Sequence, residues 1–213
     1  MKEFVEATTP SPLLPPHFIA KLYLASLKCG DAAAKLVTIA CLGPWDAALI
    51  GRTPIGNLDR IAGTLRIDHS PASARTVVLG FEAAAVLDVI IRDGRVGPIL
   101  IGPNRNVLED DAATGLRLQE ALGEVDAGTL AFDWSLRLIR ESIFAEMVDG
   151  GIPLHVAAAQ AGLGPFDGAS ALTAEFRLEQ RGAAEWWAYR LGVEPPPAYL
   201  LIEAAGRTSF PSE

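Results

Sequence analysis

The sequence predicts a mixed α/β or α+β domain, with a mixed sheet drawn from residues 36–102 and a helical C-terminal third. Three observations carry this reading. Short apolar runs rich in β-branched residues occur at Leu36–Leu42, Thr76–Gly80 and Ile99–Gly102. Residues 60–68 alternate apolar and polar with the period of a strand. After Leu79 the apolar spacing lengthens to that of a helix, and helical spacing dominates from Asp133 onward.

Taking the elements in order, residues 1–15 form an extended arm, because Thr8–Pro16 carries four prolines. Pro15-Pro16 then open a helix that ends near Gly30, with proline in the first turn and glycine past the end. Leu36–Leu42 reads as a buried strand. In Arg60–Asp68, Ile61, Leu65 and Ile67 fall on the buried side, with Arg60, Thr64 and Arg66 opposite, until Pro71 stops the strand. From Phe81 to Arg92, Ala83, Val86, Leu87, Ile90 and Ile91 share one helical face. Asp93-Gly94 has two readings, the end of that helix or a tight hairpin turn. The helix is preferred because period-two alternation fails there, and it would join two parallel strands by a right-handed crossover.

Further on, Asp110–Glu124 reads as a helix interrupted by glycine. Asp133 is the expected N-cap of a helix over Trp134–Val148, with Leu136, Ile139, Ile143 and Met147 inside and Gly150-Gly151 at its end. Two more helices are expected at Leu154–Ala161 and Ala171–Leu191. Pro195-Pro196-Pro197 then breaks the chain, Tyr199–Ile202 returns as a strand, and residues 206–213 form a loose tail. Residues 16–205 are thus read as a single domain. A short echo links Ala40–Ala48 with Ala161–Ala169, two uses of one device in which glycine ends an element and aspartate caps the next helix.

Composition narrows the function. At 213 residues, with half of them apolar, the chain can bury roughly 70% of its surface. The net charge is −8. Residues 1–130 contribute −3 and residues 131–213 contribute −5, so neither part has the positive field that phosphate backbones attract. This speaks against nucleic acid and anionic membranes as partners. The N-terminus mixes charges without an apolar stretch, so no secretory signal is read there. Cys29 and Cys41 are then reduced thiols in a cytoplasm, and the Ala-, Gly- and Arg-rich composition suggests a bacterial one. The mean hydropathy of +0.26 fits a dense core or a face covered by a second subunit.

The candidate ligand site is the shared edge of the predicted parallel strands. Gly80 and Glu82 lie in one loop there, and Gly102, Asn104, Arg105 and Asn106 in the other. Backbone N–H groups, two amides and a guanidinium suit a phosphate or carboxylate, with Arg105 as the clamp and Asn104 and Asn106 orienting it. The stretch Arg92–Gly102, within Thr76–Leu108, resembles the first crossover of the phosphate acetyl- and butyryltransferases. That resemblance implies an α/β fold and acyl transfer between coenzyme A and phosphate, and it assigns no catalytic residue.

Leu154–Gly164 followed by Leu172–Arg177 is similar to the second helix-turn-helix of AraC-type regulators. Glu175 and Glu179 balance Arg177 and Arg181 on the presumed recognition helix, which opposes phosphate contact. Trp186, Trp187 and Tyr189 form the densest aromatic group, read as a core or subunit-interface anchor. Glu109-Asp110-Asp111 reads as a helix start, Asp68-His69-Ser70 as a strand end, and His17 and His155 as isolated residues. No metal site is expected, and no cofactor is assigned. The resulting expectation is a cytoplasmic small-molecule-binding protein, an enzyme or sensor for an anionic ligand and a homo-oligomer. The alternatives are a non-catalytic homodimeric interaction module and a helix-turn-helix regulator using residues 153–190.

Overall fold

The computed structural model describes residues 13–29, 32–67, 75–91, 99, 134–163 and 174–192. It is an α+β arrangement: helices packed around a small antiparallel sheet. Helix α1 (Pro16–Cys29) turns Phe18, Ile19, Leu22 and Tyr23 inward.

The segment expected as a strand at 36–42 belongs instead to helix α2 (Ala32–Cys41). Leu36, Val37, Ile39, Ala40 and Cys41 are all buried. A helix enclosed on every side shows the same unbroken apolar run as a central strand, so periodicity alone does not separate them. Its one hydroxyl is satisfied locally: Thr38 Oγ1 donates to Ala34 O at 3.0 Å and lies 2.7 Å from Ser26 Oγ on α1. Helix α3 (Ala47–Arg52) starts at the expected Asp46 cap, whose Oδ1 accepts from the Leu49 N–H at 3.0 Å.

Strands β1 (Leu58–Asp59), β2 (Thr64–Ile67) and β3 (Arg75–Val78) pair antiparallel in chain order. Register places Leu65 opposite Val77 and Ile67 opposite Arg75. Leu65 and Ile67 are buried while Arg66 is exposed, as alternation requires. Ile61 departs from that expectation. It sits in the β1–β2 turn, fully exposed, where Asp59 Oδ1 accepts from the Ile61 and Ala62 N–H groups.

Helix α4 (Phe81–Ile91) follows β3, as the change of period predicts. Of the strand expected at 99–102 only Ile99 is described, and its N–H donates to Thr53 O at 2.9 Å. The parallel partner, the Asp93-Gly94 turn and the helix at 110–124 lie outside the described residues. So do residues 1–12, the Asp68-His69-Ser70 and Glu109–Asp111 groups, and the chain after Gly192.

Helix α5 (Leu136–Asp149) buries Ile139, Ser142, Ile143 and Met147. Its N-cap is Ser135, whose Oγ accepts from the Leu138 N–H, rather than the expected Asp133, which lies outside the described residues. Helix α6 (Leu154–Ala161) has the predicted bounds. Helix α7 (Ala174–Arg190) ends one residue earlier than predicted, and residues 171–173 of the predicted element lie outside the described residues.

Distant segments are tied by buried polar bonds. The Trp187 indole N–H donates to Cys41 O at 2.8 Å, and the Leu14 N–H donates to Ser142 Oγ at 2.8 Å. Gln160 on α6 is fully buried, and its Nε2 donates to both Val78 O on β3 and Gln180 O on α7.

Candidate functional site

Helix α6 ends at Ala161 because Gly162 turns to φ 68° and ψ 29°, a left-handed conformation open to glycine at little cost. The Leu163 N–H closes the turn on Ala158 O at 2.8 Å. Two arginines from other elements meet at this helix end. Arg140 on α5 donates from Nη2 to Ala161 O at 2.6 Å. Arg75 opens β3 and lies across the mouth of Gly162. A Cβ placed there would sit 0.8 Å from Arg75 Nη1 and 2.0 Å from its Cζ.

The terminal carbonyls of a helix carry partial negative charge, which draws cations to this position. Capping the helix accounts for Arg140, but it does not account for Arg75. Its Nε is buried and has no hydrogen-bond partner among the described residues. Burial pushes the Arg75 pKa below its ordinary value, Arg140 pushes the same way, and Asp46 opposes both. Two guanidinium groups at one helix end concentrate positive charge there, which suits an anionic oxygen ligand.

A hollow of about 60 Å³ lies beside the β1–β2 turn. Arg60, Gly63, Leu79, Gly80, Ala84 and Arg181 line it. Arg181 Nη2 donates to Ala62 O at 2.7 Å. Of the sequence-predicted ligand residues, only Gly80 is placed in this hollow. Its carbonyl accepts from the Ala84 N–H at the start of α4. The Glu82 side chain, Gly102, Asn104, Arg105 and Asn106 lie outside what the structure describes.

Trp186 and Trp187 are buried within this single chain, while Tyr189 is 39% exposed. Arg190 stacks over Trp186, its Cζ 5.8 Å from the ring centroid, and also pairs with Glu146. His155, isolated in sequence, stacks on Phe176 at 5.9 Å, with Nε2 3.7 Å from Glu179. No group of three potential metal ligands occurs among the described residues, and no helix there is long and apolar enough to cross a membrane.

Sequence reading missed both Arg75 and Arg140. Neither lies in a local motif. The one signal was indirect, in the expectation that glycine closes the helix at 154–161.

No known family profile matches the sequence, and no curated protein is similar to it. The fold has solved counterparts. The chain is similar to XerA recombinase, with a TM-score of 0.58 and 10% identity over 98% of this chain and 68% of that one. It is also similar to the integrase from mycobacterium phage Brujita, with a TM-score of 0.52 and 14% identity over 92% of this chain and 65% of that one. At these identities the likeness establishes the fold.

The comparison corrects three expectations. A small-molecule binder for an anionic ligand is set aside, since the shared architecture is that of a recombinase and an integrase. Nothing supports the ligand-binding homo-oligomer. The argument against nucleic acid as a partner also fails. It rested on net charge, which averages over the whole surface, whereas backbone contact depends on where a few cations are placed.

Proposed function

We propose that this chain is a DNA-acting protein of recombinase–integrase fold, which grips the phosphate backbone through Arg75 and Arg140. The observation that carries the reading is the meeting of these two guanidinium groups at the end of α6. A phosphodiester shares one negative charge between two oxygens at the spacing a guanidinium fork matches. Backbone contacts of this kind position a protein on DNA without reading its sequence. The groups identified around the pair are a carboxylate, a backbone carbonyl and a glycine. They hold and orient charge, and no bond-making step is assigned to them. A cytoplasmic location fits this reading.

Fluorescence anisotropy with labelled duplex DNA tests it. Binding should weaken steeply between about 50 and 200 mM salt, and the Arg75→Ala, Arg140→Ala double variant should bind far more weakly. Absence of salt-sensitive binding by the wild-type chain would overturn the proposal.

A further inference from the structure

Gln160 lies on α6 beside the arginine site. It is the neighbour of Ala161, whose carbonyl accepts from Arg140 Nη2 at 2.6 Å, and it stands just before Gly162, on which Arg75 rests. Its side chain is fully buried. Nε2 donates to Val78 O at 3.1 Å, on the strand that carries Arg75, and to Gln180 O at 2.8 Å, on α7. A single amide therefore ties the helix that supplies the seat to the strand that supplies the guanidinium.

Core filling does not account for a glutamine at this position. Its Oε1 is buried with no hydrogen-bond partner among the described residues, and a buried oxygen left unpaired is destabilising. Methionine or leucine would fill the space without that oxygen. What the amide adds is the pair of bonds from Nε2. The close fit at the helix end gives those bonds a purpose. Arg75 Nη1 lies 0.8 Å from the point where a Cβ at position 162 would stand. A slide of α6 along β3 by about 1 Å would press the helix end into the guanidinium or part the two arginines, and sites that act by placement lose much of their effect over such distances.

We infer that Gln160 is a positioning residue of the arginine site, holding β3 on α6 so that Arg75 and Arg140 present their charge together to the phosphate backbone. This rests on the DNA reading above. Gln160 is enclosed in the core and acts through Arg75.

A double-mutant cycle tests it. Gln160→Met keeps the length and burial of the side chain and removes the donor. Affinity for a labelled duplex is measured by fluorescence anisotropy across a range of salt for wild type, Gln160→Met, Arg75→Ala and the double variant. Gln160→Met alone should weaken binding by about tenfold. It should also lower the slope of log affinity against log salt by about 1, as for loss of one phosphate contact. In the Arg75→Ala background the same substitution should change affinity by less than about twofold, because the contact it positions is already gone. A residue with a structural role alone would weaken binding alike in both backgrounds. Equal losses, no loss, or an unchanged slope would overturn the inference and leave the DNA reading standing. Gln160→Leu is the second variant should the first lose its fold by circular dichroism. Loss of fold in both would assign Gln160 to stability alone and overturn the inference. Failure of the wild-type chain to bind the duplex would overturn both readings.

Discussion

The Arg75 guanidinium fills the space in which a side chain at position 162 would begin, so Gly162 is the seat on which that arginine rests. Glycine meets two demands there, a left-handed φ of 68° and an open α-carbon. Gly162→Ala is expected to cost about 1–2 kcal/mol from backbone strain alone. Its larger effect should be on DNA affinity, which should fall to the level of Arg75→Ala because the methyl group evicts the guanidinium. Urea titration and anisotropy on the same protein separate the two effects. An alanine variant that binds DNA like wild type would mean the arginine does not need this seat.

Removing each arginine should leave a distinct signature. Arg75→Ala and Arg140→Ala should each lower the slope of log affinity against log salt by about 1, as for loss of one phosphate contact. Arg75→Lys keeps the charge and loses the planar fork. It should therefore restore the slope while recovering only part of the affinity. Full recovery would show that charge alone is used.

Trp187 joins α7 to α2 through its bond to Cys41 O. Trp187→Phe retains most of the buried ring and strands that carbonyl, which should cost about 1–3 kcal/mol. Trp187→Ala adds a cavity and should cost about 3–5 kcal/mol. Equilibrium unfolding in urea gives both values, and a neutral Trp187→Phe would show that the indole N–H is dispensable.

Cys41 is fully buried, and desolvation pushes its pKa well above the ordinary 9.0. Ionisation is thus far easier in the unfolded chain. The buried thiol favours the native state fully below pH 9. That advantage is lost as pH rises from there towards the folded value, at about 1.4 kcal/mol per pH unit. Stability of wild type and Cys41→Ala, compared at rising pH, should converge above pH 9. Parallel curves would contradict this assignment. The native thiol should also resist alkylation at pH 8.

The cap of α5 offers a local check. Ser135→Ala removes the acceptor for the Leu138 N–H and should cost about 1 kcal/mol. A change below the error of a urea titration would mean that solvent satisfies the helix end equally well.

The sequence alone determined features whose causes are local. Glycine after Ala161 stops α6 wherever that helix packs, Asp46 caps α3, and the lengthened period after Leu79 makes α4 a helix. The alternation of Leu65 and Ile67 with Arg66 likewise fixed β2 and its inward face. Tertiary structure decided what depends on surroundings. Leu36–Cys41 is apolar on every side, and only packing shows that it is an enclosed helix. The arginine site is of the same kind. Arg75 on β3 is remote in the chain from Arg140 and Gly162, and each looks ordinary among its own neighbours. Their shared electrostatic role exists only where folding brings two guanidinium groups to the carbonyl end of one helix.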